Sequence, residues 1–113
     1  MNPSLVQQRC RPVSGAPLAD ADAAALLAQV PGWQRVRTPA GQSAIERHYA
    51  FADFHRSMGF ANAVAYLCNR EDHHPDLALS YGGCTVRFNT HSVGGLSVND
   101  FICAALVDAL LPA

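Results

Sequence analysis

Charge is scarce in this chain and evenly balanced. Charged residues make up 15% of its 113 residues, with a formal net charge of −1. That leaves no electrostatic footprint for nucleic acid or an acidic membrane. No apolar run approaches the roughly 20 residues of a transmembrane helix. The first residues, Met1 to Pro17, are polar and proline-containing and hold no apolar signal-peptide core, so a cytoplasmic location is expected. The four cysteines, Cys10, Cys68, Cys84 and Cys103, include no Cys-x-x-Cys pair. Reduced, structural thiols are therefore expected rather than a disulfide framework. Gly94-Gly95 lacks a surrounding G-x-G-x-x-G, so a tight turn or a close helix approach explains it better than phosphate binding. The absence of a G-x-S-x-G elbow leaves covalent catalysis without support.

Half of the residues are hydrophobic, which argues for a well-packed globule and against disorder. The length corresponds to one domain, able to bury about two-thirds of its unfolded surface. An arm over residues 1–17, broken by Pro3, Pro12, Gly15 and Pro17, reads as irregular, and residues 18–113 read as the domain. From Asp20 or Asp22 the alanine-rich run to Ala28 predicts a helix, stopped by Pro31-Gly32. Trp33 to Arg37 and Ser43 to Phe51 predict a hairpin in which Ile45, Arg47 and Tyr49 share one face.

A second helix is predicted from about Asp53. Phe54, Met58, Ala61, Ala65 and Cys68 form its apolar stripe and Val64 widens it. It ends before Pro75, because a residue preceding proline avoids the helical region. Leu77, Leu79 and Tyr81 alternate with Ala78 and Ser80, Gly82-Gly83 reads as a turn, and Cys84 to Thr90 returns as a fourth strand. Ser97 and Asp100 have the spacing of a capping box for a last helix. The stripe of that helix is Phe101, Ile102, Ala105, Leu106, Ala109 and Leu110. Two hairpins joined by helices predict an α+β fold: one four-stranded antiparallel sheet with three helices packed on one face, in the order α-β-β-α-β-β-α.

Three of the five histidines fall within Asp72-His73-His74-Pro75 and Thr90-His91. The predicted hairpin folds the fourth strand back along the third, so His91 returns toward His73 and His74. Imidazole titrates near pH 6.5, and such a cluster points to acid/base chemistry. Asp72 is a carboxylate available to orient one of the rings. A polar cap on helix and strand ends is the ordinary account of one histidine, but it fits three converging ones poorly. A zinc site is disfavoured: there is no His-x-x-x-His spacing, and adjacent histidines rarely chelate one tetrahedral ion together. His48 and His55 read as surface residues, Arg47 and Arg87 as solvated, and Trp33 as a core anchor.

Asp72-His73-His74-Pro75, Tyr81, Thr90-His91, Gly95-Leu96-Ser97 and Asp100 together resemble the pterin-4a-carbinolamine dehydratase family. Leu26-Leu27 with Pro31-Gly32-Trp33, and the Phe51 to Phe54 entry to the second helix, are similar to it as well, so the likeness runs from about Leu18 to Leu110. Cys10-Arg11-Pro12 also looks like the start of many bacterial members. The resemblance implies the same sheet-and-helix fold and the dehydration of a 4a-hydroxytetrahydropterin, such as 4a-hydroxytetrahydrobiopterin, to the quinonoid dihydropterin. That reaction recycles the pterin of aromatic amino-acid hydroxylases without metal or organic cofactor. It implies catalytic roles for His73, His74 and His91. Pterin contacts are implied from Asp72, His73, His74, Asn89, Thr90, His91 and Ser92. It further implies a homodimer or homotetramer, and two alternatives: a protein-binding transcriptional cofactor, or a relative serving molybdopterin metabolism. One departure stands out. Asn69 occupies the place, four residues before His73, where the family usually has an acidic side chain.

Overall fold

A computed structural model of the chain describes residues 4–112. Asp20–Leu27 forms α1, with Asp20 and Asp22 in the first turn, where negative charge meets the positive end of the helix dipole. Two alternating segments, β1 (Gln34–Arg37) and β2 (Ser43–Ala50), pair antiparallel. After α2 (Phe54–Glu71) come β3 (Asp76–Ser80) and β4 (Gly83–Phe88), again antiparallel, and then α3 (Val98–Asp108). β2 lies beside β4, so the sheet order is β1-β2-β4-β3, with β1 and β3 as open edges. The expected order of helices and strands is the observed one.

The central strands explain where the core sits. Ile45 faces Phe88 and Tyr49 faces Cys84 across the β2–β4 ladder, and Val86 lies between them on the same face. All five are buried with Phe60, Val64, Leu67, Phe101 and Ile102 of the helices. The opposite face is polar. Glu46 takes an ion pair from Arg87, and His48 bonds Thr85. Gly83, expected in the turn, instead opens β4; a Cβ there would lie 2.5 Å from the His48 ring, so close approach and not turn geometry calls for glycine.

Three expectations are corrected. In α2 the buried face is Ser57, Phe60, Ala61, Val64, Leu67, Cys68 and Glu71, while Phe54, Met58 and Ala65 are exposed. Two apolar stripes were available, and packing against β3, β4 and α3 selects the one carrying Phe60 and Leu67. In α3, burial extends nearly all round, from Asn99 to Ala105, and Ala109 and Leu110 lie beyond its end. The reason is the N-terminal arm: a 3₁₀ turn at Leu5–Gln7 buries Leu5 in the core cluster, and Arg11 exchanges hydrogen bonds with Asn99. Arg47, expected to be solvated, is half-buried. It lies 4.8 Å over the Tyr49 ring and pairs with Asp108 at 3.0 Å. The same Asp108 oxygen accepts from Trp33 Nε1 and from the Tyr49 hydroxyl. Burial, then the contact with Asp108, pushes the Tyr49 phenol well above its ordinary range. Trp33 is the core anchor expected, buried with its ring centroid 5.8 Å from that of Phe88 and tilted by 34°.

Candidate active site

The end of α2 decides where the histidines go. Asp72 caps it in the left-handed conformation (φ 54°, ψ 40°), with its N–H on Asn69 and the His73 N–H on the Cys68 carbonyl. Asp and Asn tolerate this region better than most residues, and Pro75 forbids further helix. The reversal turns His73 inward, its side chain 11% exposed, and leaves His74 exposed.

The His73 ring stacks on Phe88, with centroids 5.8 Å apart, and Nε2 lies 2.6 Å from Asp100 Oδ1. Asp100 is fully buried in the first turn of α3. Its other oxygen accepts from Thr90 Oγ1 at 2.8 Å and from the Ser97 N–H at 2.9 Å. Thr90 and Ser97 hydroxyls also bond each other at 2.7 Å. The Thr90 hydroxyl and the Ser97 N–H thus both donate to a carboxylate in the first turn of a helix. A charged Asp100 only accepts, so Nε2 of His73 carries the hydrogen and Nδ1 is left to take up a proton.

His91 follows Thr90 directly and opens a 3₁₀ turn, His91–Val93, closed by Gly94 at φ 71°. It is exposed. A bridge between Thr90 and Gly95 ties the base of that loop. Asn89 donates to Gln42, and Ser92 to the Val13 carbonyl of the arm. His74 Nε2 lies 3.4 Å from Asn69 Oδ1. Beside it, Tyr66, Asn69, His74, Pro75 and Leu77 line an open cleft of about 540 Å³. A larger cavity of about 610 Å³ holds Arg47 and Asp108. It sits at the far end of α3, eight residues or about 12 Å from Asp100.

The structure thus joins His73, Thr90 and Asp100 in one network, while His74 and His91, next to His73 and Thr90 in the chain, are exposed. The carboxylate that orients an imidazole is Asp100, while Asp72 serves the backbone turn. Sequence reasoning saw Asp100 as a helix cap; only its burial beside His73 shows the second role. Glu71, acidic but on a different helix face from Asn69, is buried at the helix end two residues before His73. Glu71 accepts from Arg9 Nε at 2.7 Å, the Cys10 N–H at 2.9 Å and Arg70 Nε at 3.1 Å. Burial pushes its carboxyl up, but the Cys10, Arg70 and Arg9 donors outweigh that and hold it below its ordinary value. A depressed folded pKa stabilises above the unfolded pKa, and the gain is lost as pH falls through the folded one. Glu71→Gln should therefore cost about 1–3 kcal/mol in urea unfolding at pH 7. The gap from the parent should narrow between about pH 5 and pH 3.

An open antiparallel sheet, helices on one face and a histidine–carboxylate pair at their ends define a small α+β protein. Comparison with known proteins gives the family. The profile of the Pterin 4 alpha carbinolamine dehydratase family matches residues 16–110. The chain belongs to that family. A Stenotrophomonas maltophilia protein provisionally named pterin-4-alpha-carbinolamine dehydratase is 49% identical over 108 residues, covering 94% of this chain and 90% of that protein. A provisionally named Xanthomonas campestris counterpart is 51% identical, over 94% and 89%. Among solved structures, a Brucella melitensis protein described as a transcriptional coactivator/pterin dehydratase superposes with a TM-score of 0.76 at 30% identity, covering 85% of this chain and 99% of that one. A pterin dehydratase-like RuBisCO assembly factor of the alpha-carboxysome shares the fold, at 20% identity and a TM-score of 0.58, over 70% and 88%.

Proposed function

We propose that the protein dehydrates a 4a-hydroxytetrahydropterin to the quinonoid dihydropterin and water by histidine acid/base catalysis. The observation that carries this is the His73–Asp100 pair, with His74 next to His73 and His91 next to Thr90 in the chain, in a member of the dehydratase family. Loss of water from a carbinolamine requires removal of a proton from the ring nitrogen and delivery of one to the departing hydroxyl. Imidazoles can do both near neutral pH. Asp100 holds His73 in the tautomer that leaves Nδ1 to accept, and it stabilises the imidazolium once the proton arrives. The pterin contacts proposed are Asp72, His73, His74, Asn89, Thr90, His91 and Ser92, with the return of the pterin to aromatic amino-acid hydroxylases as the physiological use. The test is the rate of dehydration of a synthetic 4a-hydroxytetrahydropterin. A clear acceleration unchanged by EDTA is expected; loss of activity with chelator, restored by zinc, would overturn the metal-free chemistry.

A second reading, binding to another protein, draws support from the Brucella structure described as a coactivator as well as a dehydratase. Phe54, Met58, Tyr66 and Tyr81 stand exposed as contact residues for it. Self-association belongs to the same proposal. The β1 and β3 edges are open, and exposed strand edges in stable proteins are paired or covered. Light scattering at micromolar concentration should give at least a dimer; a clean monomer would refute it. No helix among the described residues is long and apolar enough to cross a membrane.

A further inference from the structure

The arm before α1 is bound to the body of the protein at both ends of the candidate site. Arg9 and the Cys10 N–H hold Glu71 at the end of α2, and Arg11 exchanges two hydrogen bonds with Asn99 at the start of α3. His73 lies two residues beyond the first anchor and Asp100 one residue beyond the second. Between the anchors, Cys10 Sγ lies 3.4 Å from Cys103 Sγ. Cys103 also touches Cys68, so three thiols meet where the arm crosses α3.

They differ in access. Cys10 is half-buried, whereas Cys68 and Cys103 are fully buried. Cys84, buried in β4, is not part of the contact. We infer that Cys10 and Cys103 form a reversible dithiol–disulfide pair, oxidised by a small hydroperoxide, that fastens the arm across the helix ends carrying His73 and Asp100. The Cys10 thiolate attacks a peroxide oxygen and becomes a sulfenic acid, releasing the alcohol or water. The Cys103 thiolate then attacks the Cys10 sulfur, forming the S–S bond and releasing water. Two thiols are oxidised to one disulfide and one peroxide is reduced, so electrons and atoms balance. Closing the gap requires a shift of little more than 1 Å, which an irregular arm can make more readily than the helix can. The contacts with Cys10 and Cys68, and then burial, push the Cys103 thiol far up.

The experiment needs no activity assay, so it stands or falls separately from the proposed dehydratase reading. The full chain is treated with hydrogen peroxide, alkylated and digested with trypsin, which cleaves after its arginines. The four cysteines fall in four separate peptides: 10–35, 57–70, 71–87 and 88–113. The expected product is peptide 10–35 linked to 88–113 within one chain. The free thiols per denatured chain fall from four to two. Tm should rise by several degrees, because the bond closes a long loop, and dithiothreitol should reverse all three changes. Cys10→Ser, at a half-buried position, should abolish the link. Four thiols remaining after treatment, a link involving peptide 57–70, or linkage between chains would overturn the inference.

Discussion

Replacing His73 with alanine is expected to lower kcat for dehydration by about 10²–10⁴-fold, the range for a principal acid or base. His73 is the most constrained of the three histidines, with one nitrogen bound to Asp100 and its ring stacked on Phe88. His74→Ala and His91→Ala should each lower kcat as well. Pairs of these substitutions should cost less than the product of the single effects, since groups acting as one unit are non-additive. His48→Ala and His55→Ala serve as controls: both side chains are exposed, and His48 bonds Thr85 on the polar face of the sheet. Asn69→Glu brings a carboxylate next to His74, and it should move the pH–rate profile while leaving the unfolding curve nearly unchanged. A nearby carboxylate favours the imidazolium, so the profile should move toward higher pH. Full activity in all three single histidine variants would sink the site assignment.

Asp100→Ala should be the most destabilising single change at the site, by about 3–5 kcal/mol. It strips the partner from His73 Nε2 and the Ser97 N–H at once and leaves Thr90 Oγ1 with only the Ser97 hydroxyl. Donors left unpaired at a buried site each carry the cost of lost hydration. Asp100→Asn tests the catalytic part separately. An amide is the same size, but its NH₂ must face either His73 or the Thr90–Ser97 donors. If it faces His73, Nε2 becomes an acceptor and the hydrogen moves to Nδ1, the tautomer unsuited to taking up a proton there. The expected result is a folded protein whose kcat falls far more than its KM rises, with an altered pH–rate profile. The urea midpoint and the kinetic split check the two effects independently. A D100N protein with parental kcat and pH profile would reduce Asp100 to a helix cap.

Much of the fold is legible in local pattern. Period-two alternation in Ser43 to Ala50 and Gly83 to Phe88, proline at position 75, and the Ser97–Asp100 capping box each speak about neighbours within a few residues. Those signals place seven elements and end them near the observed positions. They also place His73 and His74 just past a helix and His91 just past a strand. Local pattern does not say which of two stripes on α2 faces the sheet. Phe54 and Met58 are as apolar as Phe60 and Leu67, and only packing against β3, β4 and α3 chooses between them.

The same limit governs the site. Cap formation at Asp100 needs only Ser97, three residues away, so the sequence by itself determined that Asp100 starts a helix. Its bond to His73 joins positions 27 apart, and Glu71 meets Cys10 across 61. Asp72 stands next to His73 in the chain, yet the left-handed turn it adopts belongs to the backbone cap, and the ring finds Asp100 instead. Contacts at such separations depend on how the helices seat on the sheet and where the arm lies across them. Periodicity carries no information about either, because it describes one element at a time. The helices, strands and clustered histidines were therefore determined by the sequence alone. The identity of the buried carboxylate, the unequal burial of His73 and His74, and the anchoring of the arm were decided by the tertiary structure.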